Sequence, residues 1–202
     1  MAKLFVHGAS RRASDLVQWN YIEFLQQRVN EMKDVFLVYD SCCFYEIIIL
    51  NYFMKFSNCD MVFCSLDGNP IQAMEGFSVN VNLPLNALDK KQIRSFTIPG
   101  GKISAIDNEK VKTFLQDLKK QGVLISAICA GVDVLDHAEI LIDVKSTHST
   151  DEDFVSHQNI ITARANAYVD FAIEVAKKLN LFDSEEDLQE TISFWKDYNR
   201  IQ

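Results

Sequence analysis

Cys129 occupies a position where the sequence predicts a nucleophile. Residues 123–128 form an apolar run typical of a buried strand, and Cys129 follows directly, before the small residues Ala130 and Gly131. This order is typical of a nucleophile elbow, a tight strand-to-helix turn whose neighbours must be small. The N-terminus of the next helix favours a thiolate, and the N–H of Ala130 can donate to a developing oxyanion. The alternative is an inert cysteine at an ordinary strand–helix junction.

Two other polar features follow predicted strands. Apolar runs at residues 34–40 and 94–98 predict buried strands of a parallel sheet. Glu46 lies six residues beyond the first run, and Gly100 and Gly101 come soon after the second. Ligands of such sheets bind at the carboxyl ends of the strands, so we expect these residues to gather near the cysteine. The backbone of the two glycines is a candidate second oxyanion donor.

Strands and helices alternate from residue 34 onward, which predicts an α/β fold with a mostly parallel sheet covered on both faces. The further predicted elements are a buried helix at 47–56, a strand at 61–66, a hairpin or edge strands at 71–74 and 77–83, a helix capped by Asp107 or Asn108 and ended by Gly122, and helices at 165–181 and 185–198. Residues 1–33 predict a separate N-terminal extension with an amphipathic helix. The expected organisation is this extension followed by one domain at 34–202.

Composition excludes several classes of protein. The chain of 202 residues has a net charge of −8 and no cluster of basic residues, so neither nucleic acid nor an anionic membrane is an expected partner. No stretch is long and apolar enough for a membrane span or a signal peptide. Five cysteines, an odd number, indicate reduced thiols in the cytoplasm rather than a secreted disulfide framework. Neither a metal site nor a phosphate loop is expected, and no cofactor is implied.

Three short motifs together resemble the ThiJ/PfpI (DJ-one) superfamily. They are Ile128-Cys129-Ala130-Gly131, the preceding Pro99-Gly100-Gly101 and the following Ser146-Thr147-His148, within a similarity that spans residues 34–182. The resemblance implies a flavodoxin-like three-layer sandwich, related to class I glutamine amidotransferases, and usually a homodimer.

The resemblance also implies roles for individual residues. Cys129 matches the reactive cysteine, Glu46 the carboxyl that bonds to its thiol, and His148 a histidine placed near it; Gly101 and Ala130 match the backbone donors. Burial and the charge of a thiolate should raise the pKa of Glu46, which could then donate a proton to sulfur or move one for a substrate. The alternative interpretations are that Glu46 is a carboxylate favoured at the start of a helix and that His148 is a capping or surface histidine.

Departures from the family pattern reduce the number of activities that the resemblance implies. Ala130 stands where the protease-like branch has histidine, and the only His-x-Glu, His137-Ala138-Glu139, is too near the cysteine for a glutaminase. Peptidase and glutaminase activities are therefore not expected. The isonitrile-hydrating branch tends to have aspartate in place of Glu46. The remaining Cys-Glu-His set is associated with glyoxalase-like or deglycase-like activity and with redox sensing.

Three functional hypotheses remain. In the first, the protein is a hydrolase or lyase whose Cys129 adds to a carbonyl or acyl carbon of a small substrate, such as an α-oxoaldehyde. In the second, it is a redox-sensing stress protein whose Cys129 is oxidised without turnover. In the third, it is a binding or scaffold protein whose N-terminal helix forms the main interface.

Overall fold

The computed structural model describes residues 32–200. The strands are β1 (Lys33–Leu37), β2 (Asp60–Ser65), β3 (Ile71–Gln72), β4 (Ser78–Val79), β5 (Leu83–Pro84), β6 (Ile93–Ile98), β7 (Leu124–Ile128), β8 (Phe154–His157) and β9 (Ile160–Ala163). The α-helices are α1 (Tyr45–Phe56), α2 (Glu109–Lys120), α3 (Gly131–His137), α4 (Tyr168–Lys178) and α5 (Glu185–Lys196). The predicted alternation of strands and helices is therefore confirmed.

One sheet organises the described residues, with strand order β5-β2-β1-β6-β7-β9-β8. Neighbouring strands are parallel except for β8, which runs antiparallel to β9. The chain leaves β1 toward β2 on one side and later returns to place β6 on the other side. The loops after β1 and β6 thus diverge at a topological switch point, the place where doubly wound sheets bind ligands.

Helices cover both faces of this sheet. α1 packs against α4 on one face, and α2 packs against α3 on the other. The central strands are buried on both sides, which explains their nearly continuous apolar sequences; Phe36 and Phe96 are fully buried. Asn108 caps α2, since its side chain accepts from the N–H groups of Lys110 and Val111. The α/β sandwich expected from the sequence is confirmed.

Two parts of the sheet differ from the prediction. The segment 77–83 is not one strand, since it is divided between β4 and β5. The Asn82 N–H donates to the Phe63 carbonyl and the Asn82 side chain accepts from the Phe63 N–H, both at 2.8 Å, so that Leu83 pairs with β2. Strands β8 and β9 were not anticipated, since each has only four residues. His157 ends β8, and its Nδ1 accepts from the N–H of Lys145 at 3.1 Å.

A buried ion pair joins the starts of β1 and β6. Asp34 is fully buried, and its carboxylate accepts from Arg94 Nε at 3.1 Å and from the Ser95 hydroxyl at 2.6 Å. These hydrogen bonds compensate the loss of hydration that burial of a carboxylate costs. The pair fixes the neighbouring strands whose opposite ends carry the site described below.

The predicted N-terminal helix lies outside the described residues and stays a prediction, as does the division at residue 33. The described residues begin with Met32, and β1 starts at Lys33. Among residues 32–200, no helix is both long and apolar enough to cross a membrane.

Candidate active site

Cys129 forms the predicted sharp turn between β7 and α3. Its φ is +58°, in the left-handed region, which costs a residue other than glycine about 1 kcal/mol or more. The turn is held on both sides, because the Cys129 N–H donates to the Ala163 carbonyl at 2.9 Å and its own carbonyl accepts from Val132 at 3.1 Å. The strain directs a partly exposed side chain to the carboxyl edge of the sheet.

The small residue after the turn is required by close packing. A Cβ added to Gly131 would lie 2.6 Å from the Ile98 carbonyl oxygen and 2.9 Å from that of Pro99. Both distances are shorter than van der Waals contact. The first turn of α3 therefore rests directly on the backbone at the end of β6, which explains the need for a small residue here.

The loops after β1 and β6 are tied together beside Cys129. Gly101 pairs with Cys42 in an antiparallel bridge. Its φ is +124°, and a Cβ at this position would lie only 2.2 Å from the Ser41 carbonyl oxygen, so both the conformation and the close approach require glycine. The buried Tyr39 hydroxyl donates to the Pro99 carbonyl at 2.8 Å. Burial raises the pKa of Tyr39, so this donor stays protonated. No pattern in the sequence indicates that Tyr39 positions the loop.

Glu46 enters the site from the first turn of α1. Its side chain is 1% exposed, and Oε2 accepts from the Gly100 N–H at 2.6 Å. Oε1 is buried, and no conventional hydrogen-bond partner for it is found among residues 32–200. The position of a Cβ on Gly100 lies 2.9 Å from Glu46 Oε2 and 2.8 Å from Cys129 Sγ. The carboxyl and the thiol thus meet over Gly100.

The proximity of these two groups governs their protonation. Burial first, and then the charge of Glu46, raise the pKa of Cys129 to about 11, while the Ala130 N–H acts in the opposite direction. Burial also raises the pKa of Glu46, and the hydrogen bond from the Gly100 N–H and the nearby Cys129 thiol act in the opposite direction. The thiolate expected from the helix N-terminus is not favoured, because burial and the neighbouring carboxylate outweigh the N–H of Ala130. The pair instead has a protonated thiol beside a carboxylate that can accept its proton.

The three predicted oxyanion donors have different partners. The Ala130 N–H interacts with the sulfur of Cys129 itself. The Gly101 N–H has no backbone acceptor among the described residues. The Gly100 N–H already donates to Glu46, so it positions the carboxyl. The Gly101 N–H is therefore available for a substrate oxygen, whereas the Ala130 N–H can bind that oxygen only by leaving the Cys129 sulfur.

His148 bonds to carboxylates on α3. Its Nε2 lies 3.2 Å from Asp133 Oδ1 and its Nδ1 lies 3.3 Å from Asp136 Oδ2. Asp133 and Asp136 are three residues apart and share one face of the helix. Both ring nitrogens are thus engaged, and no hydrogen bond between His148 and Cys129 is found within residues 32–200. We assign His148 no proton transfer at the sulfur.

The β3–β4 hairpin adds residues that the sequence did not single out. Met74 is 56% exposed and its sulfur lies 3.6 Å from Cys43 Sγ. Glu75 accepts from the Tyr45 N–H at 2.6 Å, and its charge contributes to the raised pKa values of Cys43 and Glu46. The thioether of Met74, the side chain of Tyr45 and the carboxylate of Glu75 therefore lie close to Glu46 and Cys43.

Other candidate sites receive less support. Among residues 32–200, no group of three or more His, Cys, Asp or Glu side chains could hold a metal ion. A groove of about 560 Å³ lies between α2 and the segment after β5, and it is lined in part by Leu85, Lys90 and Phe114. None of the predicted site residues lines this groove.

Comparisons with known proteins agree with this architecture. The profile of the DJ-1/PfpI family matches residues 32–178. A DJ-1 superfamily protein from Agrobacterium tumefaciens is 23% identical, with 83% of this chain and 100% of that one covered and a TM-score of 0.75. Drosophila melanogaster DJ-1beta is 19% identical, with coverages of 81% and 96% and a TM-score of 0.67.

A third similar structure is that of oxidized Toxoplasma gondii DJ-1, which is 17% identical, with coverages of 80% and 96% and a TM-score of 0.64. No curated protein matches the chain. At these identities the solved structures show the fold alone, whereas the profile covers most of the chain. The protein therefore belongs to the DJ-1/PfpI family.

Proposed function

We propose that this protein is a cysteine-dependent enzyme that acts on a small carbonyl compound, with an α-oxoaldehyde as the best-fitting substrate. The observation that carries the proposal is the meeting of a buried carboxyl and a strained, partly exposed thiol over Gly100. A nucleophile next to its own proton acceptor is the arrangement that covalent catalysis requires. Family membership supports the proposal without identifying the reaction.

The first step is addition of sulfur to the aldehyde carbon. Glu46 accepts the Cys129 proton as the sulfur–carbon bond forms and the carbonyl electrons move to oxygen. The N–H groups of Ala130 and Gly101 stabilise that oxygen before it takes the proton back from Glu46 as the hemithioacetal, which leaves Glu46 a carboxylate again. A raised thiol pKa suits this order of events, because the proton leaves only when the carboxylate and the electrophile are both in place.

The second step moves a proton between neighbouring carbons of the substrate. Glu46 removes the hydrogen from the carbon bonded to sulfur and returns a proton to the adjacent carbon, which gives a thioester of a 2-hydroxy acid. Water then cleaves the thioester, releasing the hydroxy acid and the Cys129 thiol. The net change is addition of one water molecule, so neither an oxidant nor a reductant is consumed.

Charge in the site favours a neutral substrate. Glu46 lies beside the Cys129 sulfur, and Glu75 lies near enough to Glu46 for its charge to help raise the pKa of Glu46. An anionic substrate would be repelled by both groups, whereas an uncharged oxoaldehyde would not. We therefore expect lower activity with a carboxylated substrate such as glyoxylate than with methylglyoxal.

Formation of lactate from methylglyoxal tests the proposal. Cys129→Ala should reduce turnover to the background rate, because no other group described here replaces the nucleophile. Cys59→Ala is the matched control, since Cys59 lies just before β2, at the amino ends of the strands and away from the site, and accepts a hydrogen bond from Arg94. Full turnover by Cys129→Ala, or none by the wild-type protein, would contradict the proposal.

Redox sensing is the second candidate function. A partly exposed sulfur, with the Ala130 N–H and the Glu46 carboxyl beside it, can retain the oxygens of a sulfenic or sulfinic acid. On this account, mild peroxide oxidises Cys129 before the other four cysteines, without turnover of a carbonyl compound. Peptide mass spectrometry that finds another thiol oxidised first would exclude this alternative.

We also propose a homodimer in a reducing compartment such as the cytoplasm. Ile48, Tyr52 and Phe56 follow one face of α1 and are 44%, 47% and 70% exposed, which a second copy of the chain could cover. All five cysteines are free. Light scattering should give twice the mass of one chain, and Phe56→Glu should halve it; a monomeric wild-type protein would contradict this assembly.

A further inference from the structure

Cys43 is a second thiol on the Cys129 side of the switch point. The bridge between Cys42 and Gly101 places Cys43 opposite Gly100, and the Cys43 N–H donates to the Gly100 carbonyl at 2.9 Å. Residues opposite each other in such a pairing have Cβ atoms about 5 Å apart on the same face. Cys129 Sγ lies only 2.8 Å from the Cβ position of Gly100. The two thiols therefore share one neighbour.

The other three cysteines are not placed in this way. Cys42 and Cys64 are fully buried in the core. Cys59 accepts a hydrogen bond from Arg94 at the far edge of the sheet. Cys43 is partly exposed, and its sulfur lies 3.6 Å from the thioether sulfur of Met74. Cys43 is close enough to Cys129 for its charge to help raise the pKa of the Cys129 thiol, and a disulfide would require the Cys43 sulfur to turn away from Met74.

We propose that Cys43 is a resolving thiol, which captures an oxidised Cys129 as an intramolecular disulfide when the protein meets a peroxide. The proposal rests on the reactivity of Cys129 put forward above. It adds a modification site and makes the oxidation reversible. A disulfide needs Cα atoms about 4.4–6.8 Å apart, so its formation would require the Cys43 and Cys129 backbones to come within this range.

The chemistry balances in two steps with hydrogen peroxide as the oxidant. Cys129 sulfur attacks one peroxide oxygen, the O–O bond breaks, and the thiol proton passes to the departing hydroxide, giving a sulfenic acid and water. Cys43 sulfur then attacks Cys129 sulfur, the S–O bond breaks, and hydroxide leaves as water with the Cys43 proton. Two electrons pass from the dithiol to peroxide, and two water molecules form in total.

Two carboxylates influence the second step. The pKa of Cys43 is raised to about 11 by burial and then by the charges of Glu46 and Glu75. Attack by Cys43 is therefore slow at neutral pH and accelerates as pH rises toward this value. The Glu46 carboxylate can relay the Cys43 proton to the departing hydroxide, since its buried Oε1 has no conventional hydrogen-bond partner among the described residues.

Peptide mapping of the peroxide-treated full chain without reductant tests the proposal. The wild-type protein should yield a peptide with Cys43 linked to Cys129, and dithiothreitol should restore the free thiols. Cys43→Ser and Cys43→Ala should both lose this peptide and accumulate sulfinic acid on Cys129, which dithiothreitol does not reverse. Cys42→Ser is the matched control, because it removes the adjacent but buried thiol and should keep the link.

The outcomes separate the two proposals. Sulfinic acid on Cys129 in the wild-type protein at the rate seen in Cys43→Ser, with no linked peptide, would overturn the resolving role alone. A Cys129 that resists both peroxide and alkylation while the protein is folded would overturn the resolving role and the proposed function together. Disulfides joining different chains, seen as covalent dimers on a non-reducing gel, would also refute an intramolecular resolving thiol.

Discussion

Replacing Glu46 with glutamine should make Cys129 a stronger acid and a weaker catalyst at once. Glutamine preserves the shape of the side chain, and its amide oxygen can still accept from the Gly100 N–H that now holds Oε2 of Glu46 at 2.6 Å. The substitution removes the charge that, after burial, contributes most to raising the pKa of Cys129 to about 11. It also removes the only proton acceptor assigned to the thiol.

The size of the pKa change follows from Coulomb's law. Two like charges roughly 5 Å apart at an effective dielectric constant of about 20 repel each other by about 3 kcal/mol, equivalent to about two pKa units. Because Cys129 is partly exposed, solvent reduces this effect, and we expect the pKa to fall by about one to two units in Glu46→Gln. Burial is unchanged, so the pKa remains above that of a free thiol.

Two measurements on the same samples test this prediction. The rate of iodoacetamide labelling of Cys129 against pH, read by peptide mass spectrometry, gives the pKa, and lactate formation gives turnover. Loss of a general base should reduce turnover by about a hundredfold or more. Glu75→Gln is the control, since Glu75 shifts the pKa of Cys43 and Glu46 far more directly than that of Cys129. A Cys129 pKa that rises in Glu46→Gln, or turnover that survives, would refute the reasoning.

Three further substitutions and one pH dependence test the rest of the structure. Burial raises the folded-state pKa of Glu46, so the contribution of Glu46 to stability is present at low pH and lost as pH rises through that pKa. Glu46→Gln should therefore unfold at a higher temperature than wild type near pH 7 but not at pH 4. Calorimetry can measure both unfolding temperatures, and an equal difference at the two pH values would count against this reasoning. Asp34→Ala should lower the free energy of unfolding by about 3 kcal/mol in urea titrations, because it leaves Arg94 unpaired. Asp60→Ala, which removes an exposed ion pair, should change this free energy by about 0.5 kcal/mol or less. Equal effects of the two substitutions would contradict a stabilising role of the buried pair. Gly131→Ala should cost about 1–3 kcal/mol in the same titrations and lower turnover through displacement of α3, and full activity would show that the close approach is tolerated. His148→Asn should reduce turnover less than tenfold, as expected of a residue that only tethers α3; a loss as large as that of Glu46→Gln would restore a catalytic role.

The sequence predicted the elements that carry the site because their local patterns agree with the final fold. The apolar run ending at Cys129 and the small residues that follow allow few alternatives to a strand–turn–helix, and the structure has that turn. The cap of α2 was predicted at Asp107 or Asn108, since a side-chain acceptor, an amphipathic repeat and a final glycine all lie within one short segment, and the structure has Asn108 as the cap.

Contacts between distant segments could not be predicted in the same way. His148 follows the family motif, yet its two ring nitrogens lie 3.2 and 3.3 Å from carboxylate oxygens of Asp133 and Asp136, which no motif in the sequence links to it. The balance that keeps the Cys129 thiol protonated depends on burial and on a carboxylate more than eighty residues away. Tyr39 also acts at long range, through a single hydrogen bond to Pro99. None of these interactions leaves a periodic signal in the sequence.

The covalent state of Cys129 during turnover tests the central claim most directly. Wild-type protein mixed with methylglyoxal, quenched in acid within the first turnover and digested, should carry one substrate equivalent on the Cys129 peptide, and this adduct should disappear as lactate forms. Glu46→Gln should form the adduct and release lactate far more slowly. Lactate formation with Cys129 unmodified at every time point, and adducts only on arginine or lysine, would contradict the account.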